Sequence, residues 1–170
     1  MANTTTPGTS DAPRDAMTVA ELLAQVDAGW TPFREAVRHL GRARLDEPTG
    51  AGWTVHDLIA HVAGWHDLTA RRLRHLRTTG VRPGPGDEAA IGVPAFRDAD
   101  ELNARIVASH RLVGPEALVD ELDTTQRALR EEIARLSDDQ VAADDGWVAA
   151  VVAANTFGHY AEHAAELGAA

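Results

Sequence analysis

Neither cysteine nor lysine occurs among the 170 residues of this chain. The first absence excludes disulfides, thiolate metal sites and a cysteine nucleophile. The second excludes Schiff-base chemistry through a side-chain amine. All 16 basic residues are therefore arginine, set against 26 Asp and Glu, and the formal net charge is -10. That is the wrong sign for a surface that grips duplex nucleic acid or an anionic membrane, so neither is an expected partner. Long apolar runs are missing too. The longest stretch, from Trp147 to Ala154, is far short of the roughly 20 residues a membrane span needs. The segment from Met1 to Ala16 lacks the basic and apolar regions of a signal peptide and reads as a disordered tail. The length fits one domain over residues 17–170, and the expected setting is soluble and cytoplasmic. Any metal would have to sit on histidine or carboxylate.

What is present is helical periodicity. From Thr18 onward Val19, Leu22, Leu23, Val26, Trp30, Phe33, Val37 and Leu40 recur in steps of three and four, one face of a helix. Thr18 with Glu21 forms a capping box at its start, Pro32 predicts a kink near Gly29 and Trp30, and Gly41 ends it. Thr54 with Asp57 caps a second helix to about Arg77, and Trp53 with Leu58 is placed as a hydrophobic staple. The arginines at 71, 72, 74 and 77 suit the negative end of that helix. Thr78 to Arg97 is too rich in Gly and Pro to be helical throughout and predicts a long crossover, of the kind that spans a fold or covers a site. Asp98 or Asp100 caps a third helix through Leu102, Ile106 and Val113. Gly114-Pro115 interrupts it before Leu118, Leu122, Leu129, Ile133 and Leu136. A last helix is predicted from Trp147 to about Leu167. No alternating strand pattern is found, so the expected fold is all-α, a four-helix bundle with a long crossover between helices 2 and 3.

Histidines lie on the inner faces. At about 100° per residue, Val148, Val152, Asn155, His159, His163 and Glu166 share one stripe of the last helix. His159 and His163 are one turn apart, close enough to share an ion. On the second helix His61 lies between Leu58, Val62 and Trp65, whereas His56 and His66 point away from that face. Three neutral imidazoles, His61, His159 and His163, could hold one divalent ion, Zn or Ni, with positions left for water, and Asn155 or Glu166 could orient a ring. The same residues could instead act without metal, one imidazole as general base and Asn155 or Tyr160 holding substrate, or they could simply fill the core. Trp53 and Trp65 could line a pocket for a flat or apolar ligand, and Asn103 is a polar residue beside an apolar face. Gly64 and Gly158 inside helices each cost roughly 1 kcal/mol relative to Ala, which predicts close approach by a helix or a ligand.

The string Trp53-Thr-Val-His-Asp-Leu-Ile-Ala-His61-Val-Ala-Gly-Trp65-His resembles the second-helix signature of the DinB-like four-helix bundle superfamily. Asn155-Thr-Phe-Gly-His159-Tyr-Ala-Glu-His163 resembles the last-helix signature of its ClbS/DfsB branch. The resemblance implies the same bundle and, as in metal-binding members, a site made of His61, His159 and His163. It also implies self-resistance or detoxification chemistry, the opening of a strained electrophilic ring by water, with His159, His163 and His61 catalytic. Trp53, Trp65, Asn103, Asn155 and Tyr160 would then contact a small-molecule electrophile or toxin. Other relatives are thiol transferases or isomerases that use mycothiol or bacillithiol, and a non-catalytic protein that sequesters a drug would need only the pocket. A homodimer through an outer helix face is compatible with a bundle of this size. The crossover departs from the branch in having no aromatic residue from Val81 to Ala95, Phe96 being the first to follow. With no lysine and no basic motif facing a pocket, the sequence offers no handle for an acidic thiol cofactor.

Overall fold

The computed structural model describes residues 17–49 and 52–169, so the expected tail over 1–16 lies outside the described residues. The described residues form α1 (Val19–Leu40), α2 (Val55–Thr79), α3 (Ala99–His110), α4 (Pro115–Ala134), α5 (Asp138–Asn155) and α6 (Phe157–Ala169), with short 3-10 turns at Arg42–Arg44 and Glu88–Ile91. None of the described residues forms a strand beyond a single bridge between Pro48 and Thr54. Both capping boxes are present: the Thr18 hydroxyl accepts from the Glu21 N–H and the Thr54 hydroxyl from the Asp57 N–H, while each acidic side chain reaches back to its cap. Each box satisfies two N–H groups that a helix start leaves without intrahelical partners. Helix α1 remains helical through Pro32.

Helices α1, α2, α4 and the α5–α6 pair are the four members of the bundle. The core divides along its length. At one end Phe33, Leu58, Ile59, Val62, Leu118, Leu122 and Tyr160 are buried together. At the other, Leu22, Val26, Leu73, Leu129, Ile133, Val148 and Val152 are. A third cluster, Leu68, Ile91, Leu102 and Ile106, seats the crossover and α3 against α2. The predicted third helix is thus two elements: α3 is a short lid on α2, and only α4 after Gly114-Pro115 joins the bundle.

Packing explains the helix glycines. A Cβ at Gly64 would stand 2.6 Å from Ile106 Cδ1, so α3 docks where α2 has no side chain. At Gly29, which periodicity did not single out for close packing, a Cβ would lie 2.8 Å from Phe157 Cβ and 2.9 Å from its Cα. That glycine lets α6 start directly against α1.

The last helix departs from expectation. It is broken at Thr156 (φ -133°, ψ -105°), whose hydroxyl donates to the Val152 carbonyl at 2.6 Å. A Cβ at Gly158 would sit 2.9 Å from the Ala153 carbonyl oxygen, so this glycine permits the tight return of chain at the break. A second break precedes Trp147, where Asp144, Asp145 and Gly146 all take positive φ.

Candidate functional site

Helix α2 supplies His61, and α6 supplies His159 and His163. Their ring nitrogens converge: His61 Nε2 is 2.8 Å from His159 Nε2, and His163 Nε2 is 2.9 Å from the same atom. His61 and His163 are buried, at 5% and 7% exposure, while His159, at the centre of the cluster, is half-buried. The three offer ligand atoms that all lie within 4.8 Å of one another and could hold a metal ion.

Three imidazole nitrogens this close cannot all carry protons, and three bare lone pairs would repel unless a cation or shared proton lay between them. Burial, reinforced by the charge His163 would carry, pushes His61 down to about 4; the same burial, with His163, His61 and His66 opposing a further charge, pushes His159 down to about 3. Both rings are therefore neutral at pH 7, the form that ligates divalent metals. The Nδ1 atoms of all three rings are buried without a hydrogen-bond partner. Glu166 Oε2, itself buried and unpartnered, lies 3.4 Å from His163 Nδ1, the direction from which carboxylates orient metal-bound histidines. The donor set and its surroundings thus fit a divalent ion held on neutral nitrogen ligands.

The walls come from α2 and α3. Trp53, half-buried before the helix start, lies 4.7 Å from the His61 ring between centroids, and Trp65 lies 6.2 Å away on the next turn. Asn103 on α3 accepts a hydrogen bond from the Trp65 indole N–H at 2.9 Å, which fixes that ring and ties the lid to the site. The structure therefore gathers His61, His159, His163, Trp53, Trp65 and Asn103 into one place.

Asn155 and Tyr160 lie differently. The Asn155 amide donates to the Val151 carbonyl at 2.8 Å, closing off the end of α5. Tyr160, 1% exposed, stacks on Phe33 at 5.3 Å and sends its hydroxyl to His66 Nε2 at 2.7 Å, inside the core rather than towards the imidazole cluster. His66, expected to face away from the core, is completely buried, and burial pushes it down to about 3. The reason is that Trp30 of α1, Thr125 of α4 and Tyr160 of α6 close over that side of α2, which stays open to solvent only along the strip through Asp67 and Arg71. The small residues Ala60, Ala63, Thr69 and Ala70, distributed around the helix, are the sequence signal for that.

The DinB superfamily signature matches residues 25–166, nearly the whole of the bundle just described. The chain belongs to the DinB superfamily. No curated protein matches it by sequence. Among solved structures, this DinB protein is similar to the colibactin self-resistance protein ClbS, determined in complex with a dsDNA, at 16% identity and a TM-score of 0.69 over 89% of this chain and 94% of that one. It is also similar to an uncharacterised protein from Escherichia coli UTI89, at 19% identity and 0.69 over 89% and 91%. A third neighbour is the sibling lethal factor precursor DfsB, at 16% and 0.67 over 91% and 95%. At these identities the likeness establishes the fold. The first of these neighbours was determined with duplex DNA, so the expectation of no nucleic-acid partner rests on the net charge of -10 and not on the fold. None of the described helices is long and apolar enough to cross a membrane.

Proposed function

We propose that this DinB protein is a detoxification or self-resistance enzyme that adds water to a strained electrophilic ring of a small molecule at the His61, His159 and His163 cluster. The observation that carries this reading is the convergence of three Nε2 atoms, that of His159 lying within 3 Å of the other two, beside the tryptophans that contact the His61 ring. ClbS, similar in fold, is a self-resistance protein by name, which supports the same direction. The net charge of -10 and the apolar indole walls favour an uncharged small molecule at the cluster over duplex DNA.

Chemistry sets the division of labour. Groups with conjugate acids near 3 and 4 are weak general bases at neutral pH, since efficiency requires a pKa near the working pH. As lone-pair donors they are well suited, and His61, His159 and His163 would hold a divalent ion such as Zn or Ni. When bound, such an ion lowers the pKa of water and polarises a substrate oxygen. Trp53 and Trp65 would flank the ring being opened and keep bulk water from it; Asn103 would hold Trp65 in place. In the reaction the water oxygen bonds to a ring carbon, the strained bond breaks with its electron pair on the departing ring atom, and the proton lost by water ends on that atom.

The reading is tested with protein purified without chelators. Elemental analysis should find about one divalent ion per chain, lost in His159→Ala/His163→Ala. Incubation with a strained-ring electrophile in 18O-labelled water should give a product carrying the label, with repeated turnover by the wild type and none by the double variant. Equal turnover by the variant defeats the proposal. Turnover that depends on added thiol identifies a transferase instead, and protection limited to one equivalent identifies a sequestering protein.

A further inference from the structure

A cavity lies well away from the imidazoles, where the crossover folds back over α2 and meets the second half of α5. It encloses about 310 Å³, and among its walls are Arg72, Arg82, Arg97, Phe96, Trp147 and Glu88. Arg72 is three helical turns beyond His61 on α2, about 16 Å along the axis, so a small ligand here would not touch the cluster. Volumes of this size are at the lower end of those that hold small molecules.

The charge in this cavity is opposite to that of the molecule. Three of the 16 arginines point to one hollow in a chain of net charge -10. Arg97 is paired, its Nε donating to Glu101 at 2.9 Å. Arg82 lies over the Trp147 ring, 5.9 Å from its centroid, and makes no ion pair among the described residues. Arg72 is half-buried, and none of the described residues accepts a hydrogen bond from its guanidinium; burial pushes it down from its usual value, with Glu88 opposing at longer range. Glu88 itself accepts from the Gly86 N–H. A guanidinium taken partly out of water without an acceptor is costly unless an anion completes its hydrogen bonding. Arginine does this best with the paired oxygens of a phosphate or carboxylate. Phe96 and Trp147 add flat apolar wall beside it.

We propose that this cavity binds a flat aromatic small molecule bearing an oxyanion, the oxyanion held by Arg72 and Arg82 and the ring lying against Trp147 and Phe96. Phosphate and carboxylate share the recognising chemistry, and the crossover supplies half of the site.

The probes are phenyl phosphate, benzoate and phenol, titrated calorimetrically into the full-length protein. Phenyl phosphate is expected to bind saturably at one per chain, benzoate more weakly, and phenol not at all. Arg82→Gln, at an exposed position that leaves folding intact, and Arg72→Gln, checked for folding by circular dichroism, should each weaken phenyl phosphate about tenfold or more. His159→Ala/His163→Ala should bind it as the wild type does. The proposal is overturned if neither anion binds saturably, if phenol binds equally well, or if the folded arginine variants bind unchanged. Loss of binding in the histidine variant also overturns it, because the anion would then sit at the imidazoles. This inference is independent of what the imidazole cluster catalyses.

Discussion

His66 is sealed from solvent, and its partners fix its tautomer. Thr125 donates its hydroxyl proton to the Leu122 carbonyl at 3.1 Å, so it accepts from His66 Nδ1–H at 3.4 Å. That leaves the His66 Nε2 lone pair to accept from the Tyr160 hydroxyl at 2.7 Å, consistent with burial pushing the phenol well above its usual value and the imidazole below it. Tyr160→Phe keeps the ring that packs on Phe33 and Trp30 but strands a buried acceptor, which costs about 1–3 kcal/mol. A urea titration should show this as a lower midpoint with unchanged slope; a midpoint equal to the wild type would mean that Nε2 finds another donor. His61, His159 and His163 were legible because each continues an apolar stripe of its own helix. His66 was not, because a stripe identifies one buried face and α2 is buried on all but the strip through Asp67 and Arg71. Tyr160 was misleading for a related reason: adjacency to His159 in sequence turns it about 100° away, into the core.

At the scale of the helix, two glycines set how closely neighbours approach, and they differ in what stands opposite. Gly64 faces the side chain of Ile106, which belongs to the short lid α3, whereas Gly29 faces the Cβ and backbone Cα of Phe157 at the start of α6. A side chain can turn aside and a backbone cannot. Gly64→Ala should therefore cost about 1–3 kcal/mol of overpacking less the roughly 1 kcal/mol gained from helix propensity, and Ile106→Val should recover part of it. Gly29→Ala should cost more, and no side-chain substitution at 157 should restore it, since the clash includes the backbone. Denaturation of the two alanine variants, with and without Ile106→Val, checks both statements; a Gly29→Ala protein as stable as the wild type would show that α6 can shift. Helix boundaries at Thr18, Thr54 and Asp98 were readable from capping chemistry. The break at Thr156 was not. Its cause is a side chain bonding back to Val152 together with a seat for Phe157 on Gly29, and no local pattern in the sequence records that contact with α1.

For the molecule as a whole, the bundle was legible because four amphipathic segments leave few ways to bury their faces. The arginine-lined cavity was not, since positions 72, 82 and 97 come together only once the crossover has folded back over α2. The buried histidines have a collective consequence that reaches beyond either site. His61, His66 and His159 are held near 4, 3 and 3, by burial first of all, while in the unfolded chain each titrates near 6.5. Between those values the unfolded chain binds more protons than the native one, so stability, fully present above about pH 6.5, is lost as the pH falls towards the native values. Each ring contributes at most about 1.4 kcal/mol per pH unit within that window, the limit set by one proton. His110 works the other way: burial is the largest single influence and lowers it, but the pairing with Glu121 at 3.0 Å and the bond to the Ile106 carbonyl together outweigh burial and raise it, so its contribution is present below about 6.5 and fades at higher pH. One group cannot offset three, and chelator-treated protein should lose stability steeply between pH 6.5 and 4, earlier than paired carboxylates would require. Glu132 marks that later stage. Buried but hydrogen-bonded by Arg74 and Arg77, it is held below the usual glutamate range, so its contribution is fully present above about pH 4.5 and is lost as the pH falls from there through its own lowered value. Urea midpoints measured at half-unit steps from pH 7.5 to 4 should therefore fall from about 6.5 downward, with a shallower slope in His66→Gln, where one of the three rings is gone; a flat profile down to pH 5 would mean that these rings take up protons in the native state.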